Sequence, residues 1–319
     1  MNVSVIGCGR WGTFLAWYLS HIGHNVTIYG RKDSGTYIKL LNERKNEYLK
    51  LQDNVELTSS ISHIITYADF IIIAIGAQQL RSLAREISSL NISSKTFILC
   101  MKGLEDDTGK RLSQVMSEEL GPSTKTVIWV GPGHVQQFIK GVPSCMVVGS
   151  ESIELTKKIV DKFGSDLIRF YYGQDMIGNE VGAATKNVIG IAAGMLDGLG
   201  ISGLKGALMA RGAREVSRLI RAMGGNELTA YGLCHLGDYE ATLFSAYSHN
   251  RRFGELLVKG ESFDKLAEGV STAEALVKLS RLYEVEMPIC KAVYNIVKEG
   301  SDPKEVLTEL FLRRTKFEF

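Results

Sequence analysis

Apolar residues fall in short runs through the first half of the chain and in helix-length stretches through the second. Runs at NVSVI (2–6) and NVTIY (25–29) are followed by FIIIAIG (70–76), TFILCM (96–101), TVIWVG (126–131), SCMVVG (144–149) and LIRFYY (167–172). Each has the length of a buried strand, and helical segments lie between them, so the alternation predicts a mostly parallel, doubly wound α/β sheet. The pattern changes near Tyr172: from Asp175 onward the chain reads as helices with no further convincing strand. We therefore expect a sheet domain over 1–173 and an all-helical domain over 174–319. No repeat, low-complexity tract or flexible linker divides them, and the long helix starting near Asp175 is expected to join them itself.

The first thirty residues sharpen this picture. Strand NVSVI, turn GCGRWG, helix TFLAWYLSHIG and strand NVTIY form a βαβ unit with glycines at Gly7, Gly9 and Gly12. In such a unit the first glycine permits the tight turn. The second lets backbone approach a pyrophosphate, and the third lets helix and strand pack closely. The pyrophosphate sits on the positive end of the helix. A bare G-x-G-x-x-G is a weak signal and matches many structural turns, but one set between a strand and a helix is strong. The first domain therefore reads as Rossmann-type. An NAD site usually carries an acidic residue after the second strand, whereas here Gly30, Arg31 and Lys32 stand there, with Asp33 next. Arg31 suits the extra phosphate of NADP, so NADPH is favoured and NADH stays open; the plain alternative is a solvated turn.

Lys186 is the only charged residue between Glu180 and Asp197, in the run NEVGAATKNVIGIAAGMLD. A lone ammonium in a buried helix must find partners, lose its proton or face a polar cavity. Gly182, Gly190 and Gly194 share its stripe, and helix glycines cost about 1 kcal/mol each relative to alanine. Either another backbone or a flat ligand must approach that stripe; tight packing with a snorkelling lysine explains it equally well. Lys102 in CMKGLE follows a buried strand, at the end of a sheet where ligands bind. An ordinary surface lysine is the competing reading. GPGHVQQFIKG, with Gly131 and Gly133, offers a turn and a helix start to an anion. HLGDYEATLFSAYSHNRRFG gathers Asp238, Thr242, Ser248, His249, Asn250, Arg251 and Arg252. That set suits a small phosphorylated polyol, and equally a solvated loop or a dimer contact.

Composition narrows the class. A chain of 319 residues exceeds what one core usually organises. Its net charge of +2, with basic residues dispersed, gives no nucleic-acid surface. Five widely spaced cysteines, mostly in apolar runs, read as reduced core residues. No uncharged run reaches the roughly 20 residues of a membrane span, and a strand occupies the place of a signal peptide, so we expect a cytoplasmic protein without integral membrane association. No metal-ligand pattern stands out.

GCGRWGTFLA, the CMKGLE lysine, GPGHVQQFIKGVP, GNEVGAATKNVIGIAAGMLDGLG, the HLGD and SHNRRFG pieces and AEGVSTAEAL occur in one order and spacing. Together they resemble the NAD(P)-dependent glycerol-3-phosphate dehydrogenase family over nearly the whole chain. The resemblance implies interconversion of dihydroxyacetone phosphate and sn-glycerol 3-phosphate, chiefly for phospholipid synthesis. It implies that Lys186 is the catalytic lysine, that Lys102 touches cofactor and substrate, and that Thr242 lies near the reacting centre. Asp238, Ser248 and Asn250 fall on substrate positions. Arg10, Trp11, Arg31, Leu266 and Glu268 fall on cofactor positions, and Val135 and His249 are placed with them. Three residues depart from the family pattern: Gly133 stands for serine or threonine, Val135 for alanine, and His249 for a phosphate-contacting arginine that Arg251 would replace. A related reductase of similar architecture acting on another ketone or polyol phosphate, such as a ketopantoate reductase or a 3-hydroxyacid dehydrogenase, is the second reading. A non-catalytic dinucleotide sensor is the third. A homodimer through the helical half is a further implication of the family.

Overall fold

The computed structural model describes residues 1–315, 317 and 318. Eight strands form one sheet: β1 (Asn2–Ile6), β2 (Asn25–Tyr29), β3 (Glu56–Thr58), β4 (Phe70–Ile73), β5 (Thr96–Leu99), β6 (Lys125–Val130), β7 (Ser144–Ser150) and β8 (Ile168–Gly173). The order is β3-β2-β1-β4-β5-β6-β7-β8. Strands β1 to β6 run parallel, β7 turns antiparallel to β6, and β8 is parallel to β7. The fold is therefore the expected parallel-dominated α/β sheet with a Rossmann-like N-terminal part and a helical C-terminal part.

Seven helices flank the sheet: α1 (Arg10–His21), α2 (Gly35–Glu43), α3 (Ile61–Tyr67), α4 (Leu80–Ile87), α5 (Leu112–Leu120), α6 (Val135–Ile139) and α7 (Ile153–Phe163). Alternate residues of one strand point to opposite faces, and here they enter different cores. Phe70 and Ile72 of β4 join Phe14, Tyr18, Phe138 and Phe163 on the face of α1, α6 and α7. Ile71 and Ile73 join Leu80, Leu83, Ile87 and Met116 on the face of α3, α4 and α5. Burial on both faces is why β4 and β5 read as unbroken apolar runs rather than alternating ones.

Six helices follow: α8 (Met176–Gly198), α9 (Lys205–Ala222), α10 (His249–Val258), α11 (Gly269–Leu282), α12 (Pro288–Glu299) and α13 (Pro303–Phe311). Two compact units result. One comprises Met1–Lys102 and Lys110–Glu180; the other comprises Gly103–Gly109 and the chain from Val181 onward. The division falls inside α8. In the first unit Glu180 is buried and accepts from the Ser113 amide at 2.9 Å, the Ser113 hydroxyl at 2.6 Å and Arg111 Nη1 at 2.5 Å. In the second, Lys278 Nζ holds the carbonyls of Asp106 and Asp107, which ties the 103–109 segment to α11.

All five cysteines are free. Cys8 and Cys100 in the first unit and Cys234 and Cys290 in the second are buried, while Cys145 is partly buried. Desolvation raises the thiols of Cys100 and Cys290 above the usual range, so they behave as core residues. Among the described residues no helix is long and apolar enough to cross a membrane.

Candidate active site

The glycine-rich turn of the first unit is built for close approach. Gly7 has φ +113°, and a Cβ there would lie 2.4 Å from the Ala74 carbonyl oxygen. A Cβ on Gly12 would lie 1.9 Å from the Gly7 oxygen, so helix α1 and the turn touch only because both residues lack one. Gly9, the N-cap of α1, differs: no atom lies within 4 Å of its missing Cβ. Packing demands glycine at Gly7 and Gly12 but not at Gly9, and open space beside a helix N-terminus fits a pyrophosphate. A dinucleotide is therefore compatible with the residues present. At the end of β2, Arg31, Lys32 and Asp33 are exposed. The Arg10 guanidinium lies 5.7 Å from the Tyr48 ring centroid.

Lys102 follows β5, and its Nζ donates to the Gly131 carbonyl at 2.6 Å, at the end of neighbouring β6. Gly131 takes φ +129°, with its missing Cβ 3.0 Å from Met146 Cα. Two of the three departures have a physical reason here. A Cβ on Gly133 would come within 2.5 Å of the Phe138 ring and 3.6 Å of Trp11. Phe138 stacks on Phe14 at 4.9 Å, and Trp11 lies 5.0 Å from Phe14. The aromatic cluster occupies the space a serine or threonine side chain would need, and Val135 is buried in the same core.

In the second unit the sequence candidates meet around Lys186, which is 7% exposed. Its Nζ lies 2.7 Å from Asp238 Oδ2 and donates to Thr242 Oγ1 at 2.8 Å. Asp238 ends a 3₁₀ turn, Leu236–Asp238. Thr242 sits on a π-helical turn, Glu240–Phe244, a geometry frequent at functional sites. The Thr242 hydroxyl donates to the Asp238 carbonyl at 2.7 Å. Asp238 and Thr242 are 1% and 2% exposed, so this is a buried polar cluster and not a solvated loop. Lys186 does not snorkel.

The glycine stripe beside Lys186 is filled by protein. A Cβ on Gly182 would meet Cys234 and His235, and one on Gly190 would meet Thr242 and Asn250. One on Gly194 would lie 1.8 Å from the Arg251 carbonyl oxygen, and Gly254 of α10 reciprocates at 2.1 Å from Ile191 O. Helices α8 and α10 thus pack backbone to backbone. Gly269, opening α11, packs on the Asn187 carbonyl.

The remaining candidates line the N-termini of α10 and α11. Ser248 caps α10 through the Arg251 amide at 3.3 Å, and Asn250 Oδ1 accepts from the Gly269 amide at 2.9 Å. The His249 ring lies 6.0 Å from that of Phe263. Glu268 precedes α11 and its carbonyl accepts from Thr272, while Leu266 is 64% exposed. Arg251, the expected stand-in for the missing arginine, lies in a cluster of ion pairs. Its Nη1 lies 3.2 Å from Glu255, and its Nε lies 3.0 Å from Asp197 without hydrogen-bond alignment. The same two carboxylates also pair with Lys205, Arg252 and Lys259, so cations outnumber acids around Arg251.

Sequence reasoning missed His235 and Tyr239. Both are fully buried, with Tyr239 Oη 2.6 Å from His235 Nε2 and His235 Nδ1 2.8 Å from the Gly182 carbonyl. The available signal was a histidine and a tyrosine four apart, straddling Asp238. Among the described residues no group of three histidine, cysteine or acidic side chains is placed to hold a metal.

Comparison with known proteins points to one family along both halves of the chain. Residues 2–156 fit the profile of the NAD-dependent glycerol-3-phosphate dehydrogenase N-terminus, and residues 175–308 that of its C-terminus. The chain is 37% identical to the glycerol-3-phosphate dehydrogenase [NAD(P)+] of Clostridium botulinum (strain Eklund 17B / Type B), over 99% of each chain. It is 34% identical to that of Thermoanaerobacter sp. (strain X514), over 100% of this chain and 99% of the relative. The crystal structure of glycerol-3-phosphate dehydrogenase from Coxiella burnetii superposes with a TM-score of 0.91 at 26% identity, covering 98% of this chain and 99% of that one. Matched along both its halves and over its full length, the chain belongs to the NAD-dependent glycerol-3-phosphate dehydrogenase family.

Proposed function

We propose that the protein reduces dihydroxyacetone phosphate to sn-glycerol 3-phosphate with NADPH or NADH, supplying a precursor of glycerophospholipids. The observation that carries the mechanism is the buried Lys186 held by Asp238 at 2.7 Å and Thr242 at 2.8 Å. When bound, the nicotinamide supplies hydride to the ketone carbon, and negative charge builds on the carbonyl oxygen. Protonated Lys186 stabilises that charge and donates the proton, acting as general acid, and as general base in the reverse direction. Asp238 and Thr242 fix the ammonium, since a buried lysine with two directed acceptors has little rotamer freedom left.

Gly7, Gly9 and Gly12, with Arg10 and Trp11, hold the dinucleotide, and Arg31 at the end of β2 favours the 2′-phosphate of NADPH. Lys102, with Gly131 and Gly133, sits at the carboxyl edge of the sheet, where open α/β sheets bind ligands. Ser248, His249, Asn250 and Arg251 are assigned to the substrate phosphate. That phosphate contributes remote binding energy that orients the ketone. Glu268 and Leu266 are assigned to the cofactor. We assign the dinucleotide to the domain 1–173 and the substrate to 174–319, and place the enzyme in the cytoplasm as a homodimer; light scattering that gives a monomer at every concentration refutes the dimer.

The test is the initial rate of NADPH and NADH oxidation with dihydroxyacetone phosphate, beside unphosphorylated dihydroxyacetone and Lys186→Ala. Turnover that requires both the phosphate and Lys186 is expected. A protein that binds NADPH yet leaves dihydroxyacetone phosphate untouched refutes the substrate assignment and directs the search to other ketones.

A further inference from the structure

We infer that His235 and Tyr239 form a positioning brace for the Lys186–Asp238 pair, an inference that rests on Lys186 being the proton donor. The hydrogen positions follow from elementary chemistry. A carbonyl only accepts, so the His235 Nδ1 that lies 2.8 Å from Gly182 O carries the ring proton. In a neutral imidazole Nε2 is then the acceptor, and the Tyr239 phenol donates to it across 2.6 Å. Burial favours this state on both sides. It pushes the phenol well above its ordinary value, and it lowers the imidazole to about 4. Phenol, imidazole and carbonyl therefore form one directed chain without net charge.

Its two ends define its role. Asp238 lies between the two braced residues in sequence, on the turn they fix. Gly182 lies four residues before Lys186 in α8, so its carbonyl also accepts the Lys186 amide of the helical ladder. One oxygen thus receives the turn that bears Asp238 and the helical turn that bears Lys186. The fit is tight at both ends: a Cβ on Gly182 would come 3.2 Å from His235 Cβ, and one on Gly212 of α9 would come 3.1 Å from Tyr239 Oη. The ionisable groups facing the brace are Lys186 and Asp238 at the imidazole, and Glu215 of α9, Cys290 of α12 and Tyr231 at the phenol. An apolar pair would fill the same space without burying two polar groups, so packing alone does not call for a histidine and a tyrosine. A neutral ring beside Lys186 adds no second positive charge to the Lys186–Asp238 pair.

The experiment compares wild type, Lys186→Ala, His235→Leu, His235→Asn and Tyr239→Phe in the full chain, measuring kcat, KM and the pH dependence of kcat for ketone reduction. His235→Leu is expected to lower kcat on the order of 100-fold, the cost of displacing a reacting group by about 1 Å, with dinucleotide KM unchanged. His235→Asn, whose amide nitrogen replaces Nδ1, recovers most of that loss. Tyr239→Phe, which removes one oxygen, gives a smaller fall in the same direction and carries the test if the leucine variant does not fold. The alkaline limb of the profile moves to lower pH in the leucine and phenylalanine variants, because a displaced carboxylate no longer favours the protonated ammonium. Wild-type kcat and profile in all three brace variants, whatever their melting temperatures, overturn the inference. So do losses of kcat with an unmoved alkaline limb, which mark structural damage only. A Lys186→Ala enzyme that still turns over brings down the mechanism itself; an inactive one beside unaffected brace variants brings down the brace alone.

Discussion

Gly194→Ala tests whether the crossing of α8 and α10 is as close as described. The added methyl group would stand 1.8 Å from the Arg251 carbonyl oxygen and 2.8 Å from the Glu255 amide nitrogen, where ordinary contact begins at 3.4 Å. The helices must therefore separate locally by about 1.6 Å, the difference between the first and last of these distances. Both obstructing atoms are backbone, so no side chain can rotate away. Alanine gains about 1 kcal/mol of helix propensity over glycine. Overpacking costs typically 1–3 kcal/mol, and backbone obstruction places this site at or beyond the upper end. The net expectation is a loss of roughly 2 kcal/mol or more, read as a lower midpoint in chemical denaturation at an unchanged slope. Gly206→Ala, in α9, is the control. Nothing lies within 4 Å of its missing Cβ, so it should be neutral or stabilising by up to about 1 kcal/mol. Because the first turn of α10 holds Ser248 and Asn250, Gly194→Ala should also reduce turnover more than dinucleotide binding. A Gly194→Ala protein as stable as the Gly206→Ala control would show that the two helices do not meet backbone to backbone.

Three other outcomes follow from the structure. His235 has a folded pKa of about 4 against an ordinary 6.5, so the folded state binds fewer protons. Its contribution is complete above pH 6.5 and is lost as pH falls from 6.5 towards 4, by roughly 3 kcal/mol at most; denaturation midpoints from pH 7.5 to 4.5 should fall more steeply in wild type than in His235→Asn, and equal slopes would contradict this. Glu180→Gln leaves the partly buried Arg111 guanidinium without its charge partner and should cost about 2 kcal/mol, measured by thermal unfolding, with an unchanged melting point as the contrary result. Arg31→Glu should shift the ratio of kcat/KM for NADPH over NADH towards NADH by about tenfold or more, since a carboxylate repels the 2′-phosphate that a guanidinium attracts; an unaltered ratio would remove Arg31 from the cofactor site.

Sequence pattern sufficed for elements whose signal is local. Strands β1 and β2 and the start of α8 lie within one residue of their predicted places, because apolar runs bounded by glycine or polar turns leave little choice. The predicted C-terminal ends of β4 and β5 were too long by two or three residues. Ala74, Ile75, Cys100 and Met101 lie past the last ladder pair yet still pack in or against the two cores, and hydrophobicity alone does not separate that from a strand. Strand β3 spans only Glu56–Thr58, too short for a periodic signal. The antiparallel direction of β7 is set by hydrogen bonding with β6, which composition does not encode. At the site, Lys186 was legible because a lone charge in an apolar helix is anomalous. Its partners were legible only as members of a polar segment. Arg251 reaches Asp197, and His235 reaches the Gly182 carbonyl, across long stretches of sequence, so no window of the chain contains both sides; the Arg251–Glu255 and His235–Tyr239 pairs are only four apart, but that spacing recurs along any helix and does not by itself mark a contact.

The buried thiols also make the two compact units separately observable. Cys8 and Cys100 are sealed in one and Cys234 and Cys290 in the other, and a thiol reagent reaches such groups only when the surrounding structure opens. Labelling rates at these four positions, read by mass spectrometry against partly buried Cys145 as the fast reference, would therefore give an opening free energy for each unit. If substrate or dinucleotide closes one pair against the reagent and leaves the other unchanged, the stability each ligand confers is assigned to a unit without any inserted probe.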